Sequence, residues 1–233
     1  MLASQNREKW ERLDLFNGSA PATAEEILAG ARVQHYPTGS EVVREGEPAD
    51  YLYVLLSGQV QIVAHDNGHE TTILILEPPH SFVMAAVYLD RVFLQTARTL
   101  EAADILVIPA EPIRRFAQID IALANNVSRE LALAYRMVAQ ELKNQKLRPS
   151  LQRLANWLVR RDIETGSSGK FRLPFEKKVL AAKLGMAPEA LSRTFVTLAK
   201  YDVIVQGRDV EIRDMNSLVR LAKPSPLIDD PSV

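Results

Sequence analysis

There is no cysteine in the 233 residues. A disulfide framework, a cysteine-held iron–sulfur cluster and any thiolate-ligated zinc or haem are thereby excluded. No apolar run reaches about 18 residues, so no membrane-spanning helix is expected. The opening MLASQNREKWERLDLF is polar and charged, not basic and then apolar, and does not resemble a secretory signal. A cytoplasmic protein without a membrane partner is expected. The sequence also lacks a P-loop, a Gly-x-Ser-x-Gly elbow and a His-Glu-x-x-His pair. No nucleophile–base pair marks it as an enzyme, and no catalytic residue is nominated.

What is present is uneven. Net charge is −1, but Lys143 to Arg213 carries fifteen lysines and arginines against fewer acids. A basic C-terminal half on a near-neutral chain is compatible with phosphate binding, and equally with ordinary solvated lysines. The closing KPSPLIDDPSV is proline-rich and reads as a frayed tail.

Along the chain, Gln5 to Arg32 reads as short helices, with Thr23 resembling an N-cap ahead of Glu25 and Glu26. From Val33 to Ala110, short β-prone runs alternate with turn residues at roughly ten-residue spacing, the texture of a β-sandwich or barrel. Asn67-Gly68 between QVQIVAH and ETTILIL is a strong type I′ hairpin signal. Asp120 to Arg148 has neither Gly nor Pro and predicts one long helix. Val127, Leu131, Ala134, Val138 and Glu141 recur at alternating steps of four and three, a seam suited to a second copy of the chain. Pro149 ends this helix and Ser150 can cap the next, LQRLANWLVRRDIE.

The clearest motif follows. FEKKVLAAKL predicts a helix, Gly185-Met186-Ala187 a tight turn, and Pro188 the first position of a second helix, EALSRTFVTLAK. YDVIVQGRDVEIRD then predicts a hairpin with Gly207-Arg208 at its tip. A helix-turn-helix followed by such a wing is a winged helix, whose usual ligand is double-stranded DNA.

Two stretches in this order resemble the cyclic-AMP receptor protein/FNR superfamily of bacterial regulators. Gly46 to Ile62 (GEPADYLYVLLSGQVQI, with Gly46, Glu47 and Gly58) looks like that family's sensor β-roll. LPFEKKVLAAKLGMAPEALSRTFVTLAKYDVIVQGRDVEI is similar to its winged helix from end to end. The resemblance implies an α+β chain: a cyclic-nucleotide-binding-like β-roll (jelly roll) over 1–119, a dimerisation helix over 120–148 and a winged helix-turn-helix over 149–233. It also implies a homodimer, with RNA polymerase as the protein it acts on. Glu189-x-x-Ser192-Arg193 is similar to an FNR-type recognition helix and implies TTGAT half-sites in an inverted repeat. Pro188, Glu189, Ser192 and Arg193 are the expected base-reading group, and Lys177, Lys178, Lys200 and Arg208 the expected phosphate contacts.

The family's cAMP-binding members hold ribose with a Gly-Glu pair and the cyclic phosphate with Arg-Ser. Aligned on Phe82, those positions here are Met84, Ala85, Gln95 and Thr96. A phosphate with no cation beside it would be unstable, so cAMP is not expected. The segment FVMAAVYLDRVFLQTA has either collapsed into core or holds an apolar effector, such as a small aromatic acid or, as the alternative, haem. The candidate lining is Val83, Met84, Ala85, Tyr88, Phe93, Gln95 and Thr96 with Arg129, Tyr135 and Arg136 of the long helix. An aromatic carboxylate would want Arg91, Arg98, Arg129 or Arg136, and haem would want His80, read as a loop residue. A cupin-like metalloenzyme is the rival for a β-roll. However, Asn67-Gly68 places Asp66 opposite His69, so His65 and His69 are not an opposed pair and no metal site is expected.

Overall fold

The β-prone runs between Val33 and Ala110 fold into two antiparallel sheets. In the computed structural model, which describes residues 13–230, the strands are β1 (Arg32–Tyr36), β2 (Glu41–Val43), β3 (Tyr51–Ser57), β4 (Val60–Asp66), β5 (His69–Leu76), β6 (His80–Phe82), β7 (Thr96–Thr99) and β8 (Ala103–Pro109). One sheet has the order β1-β8-β3-β6 and the other β2-β7-β4-β5. Asn67 and Gly68 both take positive φ, 48° and 79°, and Asp66 pairs with His69 across them. That is the two-residue turn the dipeptide announces. Leu52, Leu55, Ile105, Leu106 and Ile108 are fully buried at the centre. On β3, four successive residues from Leu52 are buried instead of alternating. Helices α1 (Pro21–Ala29) and α2 (Met84–Leu89) pack against β8 and β3 and dry that sheet's second face.

Gly58 closes the β3–β4 turn with φ 82°. A Cβ there would lie 2.4 Å from the Ala102 carbonyl oxygen and 2.9 Å from Ala103. Gly58→Ala is therefore expected to cost about 2–4 kcal/mol, combining left-handed strain with overpacking. Denaturant unfolding of the full chain measures it; a loss under about 0.5 kcal/mol, the size of an ordinary surface change, would contradict it.

Thr23 does not cap α1. The helix begins at Pro21, and Thr23 sits inside it, buried. Asp120, a hundred positions away, accepts from the Ala20 N–H at 3.0 Å. Asp120 also accepts from the Leu123 N–H at 3.1 Å, and that bond holds its carboxyl below the usual carboxylate range. A short helix α3 (Ala110–Phe116) leads into α4 (Ile121–Leu147), the predicted long helix. Leu123 and Val127 are buried in the β-roll core, so Val127 does not belong to a free seam. Further along α4, Leu133, Val138 and Leu142 are among its exposed apolar side chains.

The chain divides into two compact units between Ala134 and Tyr135, inside α4. In the second unit, α5 (Ser150–Glu164), α6 (Lys177–Lys183), α7 (Pro188–Leu198) and α8 (Met215–Ala222) join a three-stranded sheet. That sheet has the order β10 (Val203–Gln206), β11 (Asp209–Ile212), β9 (Lys170–Arg172). Within the terminal stretch read as frayed, Pro226–Asp229 form a short helix α9, while 231–233 lie outside the described residues. Arg148, its side chain 4% exposed, donates two hydrogen bonds of 2.6 Å to the Asp229 carboxylate. Gln140 and Lys143 donate to the carbonyls of Asp230 and Leu227. A proline-rich composition carries no sign of such bidentate anchoring. Among the described residues, no helix is long and apolar enough to cross a membrane.

Candidate nucleic-acid interface and sensor segment

The second unit presents α7 on a short turn. Gly185 takes φ 61°, a left-handed conformation that calls for glycine, and its Cα faces the end of the Gln145 side chain. Gln145 donates to the Lys183 carbonyl at 3.3 Å. Arg153, 9% exposed, spends its guanidinium on three carbonyls: Leu184 at 2.8 Å, Arg148 at 2.7 Å and Gly185 at 3.3 Å. Burial lowers its pKa, offset in part by the Glu141 carboxylate. One buried side chain thus caps the ends of α4 and α6 and fixes the turn before α7.

Pro188 opens α7 and Glu189 lies in its first turn, favourable against the helix dipole. Leu191, Thr194, Phe195 and Leu198 are buried, while Glu189, Ser192 and Arg193 are exposed on the other face. Among the described residues, no side-chain hydrogen bond or ion pair engages the head of Glu189 or Arg193. The helical ion pair that would make them an ordinary solvated couple is not formed. The Ser192 hydroxyl turns back to the Pro188 carbonyl at 3.1 Å.

The candidate phosphate contacts separate. Lys178 and Lys200 are exposed. Lys177 is half-buried, with its ammonium 5.4 Å from the Phe195 ring centroid. Arg208 sits at the wing's tip, but its Nε and Nη2 donate to the Leu173 carbonyl at 3.0 and 2.7 Å. It ties the wing to the rest of the unit, a role the tip position does not announce.

In the first unit, the candidate sensor residues divide by burial. Met84, Phe93 and Thr96 lie in the interior, Val83 and Gln95 are half-buried, and Ala85, Tyr88 and Arg129 are exposed. Tyr135 and Arg136, both exposed, fall in the second unit. The Thr96 hydroxyl accepts from the Glu45 N–H at 3.1 Å, and the Gly46 and Phe93 backbones bond to each other's segment at 2.8 and 2.9 Å. Val83, the residue before α2, has φ 65°. A β-branched residue in the left-handed region is strained by roughly 1–2 kcal/mol, a mark often found at functional sites.

Two side chains that sequence reading missed grip this segment. Arg114 donates to the Val87 carbonyl at 3.1 Å and pairs with Asp90 at 3.1 Å, closing the C-terminal end of α2. Glu130 on α4 accepts a 2.7 Å bond from the Ser81 hydroxyl, and burial pushes its carboxyl above the usual range. His80 is not in a loop: it pairs with Leu55 in β6, and burial lowers its pKa. His65 faces Glu70 across the hairpin at 3.0 Å, and among the described residues no group of three metal-ligating side chains is placed to hold an ion.

Residues 33–120 match the family model of the cyclic nucleotide-binding domain, and residues 152–221 that of the Crp-like helix-turn-helix domain. The chain belongs to the Crp/Fnr superfamily. This Crp/Fnr member is a DNA-binding transcription regulator and not an enzyme. It is 26% identical over 210 residues to the Cyclic AMP receptor protein of Thermus thermophilus, covering 89% of this chain and 96% of that one. It is 23% identical over 189 residues to the transcriptional activator protein FnrA of Stutzerimonas stutzeri, covering 79% and 78%. Its fold is that of FixK2 from Bradyrhizobium japonicum, with a TM-score of 0.71 at 20% identity, covering 84% of this chain and 98% of that one.

Proposed function

We propose that this chain is a cytoplasmic homodimeric regulator that reads an inverted repeat of TTGAT half-sites and is controlled by a small molecule other than cAMP. The observation that carries the reading is the split of α7 into a buried apolar face and an exposed face with free Glu189 and Arg193 heads. Arg193 is suited to fork onto guanine O6 and N7, and Glu189 to accept from cytosine N4. Lys178 and Lys200 position the duplex through its phosphates. Residues 1–119 act as sensor, 120–148 as dimerisation helix and 149–233 as DNA-binding domain, with RNA polymerase as the further protein partner. The exposed Val138 and Leu142, four residues apart and so on one face of α4, support a seam that a second copy covers.

The Thermus relative is named for cyclic AMP. Here Met84 and Ala85 offer no acceptor for a ribose hydroxyl, and Gln95 and Thr96 no charge for a phosphate. An effector with a large apolar part suits Phe93, Met84 and Tyr88 better. For a small aromatic acid, Arg91 and Arg129 are the available cations, since Arg98 is committed to Glu41 and Glu70.

Native mass spectrometry of the full chain with a TTGAT inverted-repeat duplex tests this. Two chains per duplex are expected, with binding at least about a thousandfold weaker to scrambled half-sites. Extra mass on the free dimer that is lost on denaturation would identify the effector and distinguish an aromatic acid from haem. A monomer, or no preference for the repeat, would overturn the reading.

A further inference from the structure

Val196 is the residue of α7 that neither the fold nor the polar reading accounts for. It is 74% exposed, so it contributes almost nothing to the core. It is β-branched, so helix propensity does not favour it either. Its position is not peripheral. It stands seven residues after Glu189, four after Ser192 and three after Arg193, and four before Lys200. Those spacings put Glu189, Ser192, Arg193 and Val196 on one stripe of α7, and Lys200 follows in the short 3-10 turn after the helix. The opposite stripe, Leu191, Thr194, Phe195 and Leu198, is buried in the domain.

The major groove offers one apolar feature at base edges, the C5 methyl of thymine. A branched aliphatic side chain set among polar groups on a groove-facing helix has that methyl as its complementary surface. Cytosine lacks it, and the purines present nitrogen or oxygen there. Resting on the DNA-reading role of α7, we propose that Val196 is a specificity-determining residue that packs its methyl groups on one thymine C5 methyl in each half-site. Its recognition is by shape and desolvation, and it complements the hydrogen bonds of Glu189 and Arg193.

The test compares protein and base methyls directly. Duplexes enriched from random sequence by the full-length protein supply the binding site, and each thymidine of a half-site is replaced in turn by deoxyuridine, which removes only the C5 methyl. Affinities are measured by fluorescence anisotropy for the wild type and for Val196→Ala. At one position the wild type is expected to lose about fourfold per half-site, the worth of one buried methyl group. Val196→Ala is expected to bind thymidine and deoxyuridine duplexes alike at that position. No sensitive thymidine in the wild type, or a loss that persists undiminished in Val196→Ala, overturns the assignment while leaving α7 as the reading helix. If no sequence is enriched, or if Arg193→Ala selects the same sequence equally well, the reading role of α7 fails and this proposal fails with it.

Discussion

Arg193→Ala lowers affinity for the inverted repeat by about 30- to 10⁴-fold, because each half-site loses a contact worth about 1–3 kcal/mol and a dimer has two. The head of Arg193 is exposed, and among the described residues it has no intramolecular partner. Its removal leaves no orphaned group in the fold. Thermal stability is expected to stay within about 0.5 kcal/mol of the parent, as for an ordinary surface change. Binding to unrelated duplex is expected to change little, so the specificity ratio collapses toward one. Lys178→Ala provides the contrast. An exposed lysine serving a phosphate weakens all sequences about equally and reduces the salt slope by about one per lost contact. Anisotropy titrations of specific and scrambled duplexes at several salt concentrations measure both. An Arg193→Ala variant with undiminished discrimination would remove α7 from the role given to it.

Arg153→Met is expected to destabilise the second unit by about 3–5 kcal/mol, comparable to breaking a buried charged network. Methionine keeps much of the stem's volume and removes every donor. The carbonyls of Leu184 and Arg148 would then stay buried without the guanidinium that now serves them, and the Gly185 carbonyl would lose its partner. Those carbonyls end α4 and α6, so the same change loosens the turn that aims α7. DNA affinity should fall with stability, although Arg153 touches no base. Trp157 lies in the same unit, 7% exposed and 5.9 Å from the Phe175 ring centroid. Its fluorescence in a Trp10→Phe background reports the unfolding midpoint. A shift of less than about 0.5 kcal/mol would show that water replaces the guanidinium at no cost and that the turn holds itself.

The parts legible in the sequence are those whose causes are local. Asn67-Gly68 forms its turn because both residues tolerate positive φ, whatever surrounds them. The helix from Ile121 to Leu147 has no breaker inside it and a proline soon after it. Pro188 starts α7 at the expected residue, and the spacing of Leu191, Phe195 and Leu198 declares which face is buried.

The rest depended on groups distant in sequence. Strands β6, β7 and β9 have three or four residues each, too short for a period to show before a neighbour supplies the hydrogen bonds. Thr23 looked like a cap, but Asp120 reaches the start of α1 from a hundred residues on. Val127 fitted a seam by spacing, yet the β-roll buries it. Arg208 stood at a hairpin tip, but a carbonyl in the loop before α6 turned its head inward. The tail read as frayed because composition cannot show that Arg148 would be there to receive Asp229.

By itself the sequence carried the resemblance to the family, through two stretches in order, and it declared which face of α7 is buried, since helical period fixes which side chains share a face. Only the tertiary structure decided which cations are free to meet DNA and which are spent on the protein's own carbonyls. It alone also placed the half-buried Glu130 and Arg114 against the sensor segment. A charged head pairs with whatever lies within about 3 Å of it, and that distance is a property of the packed chain, not of its order.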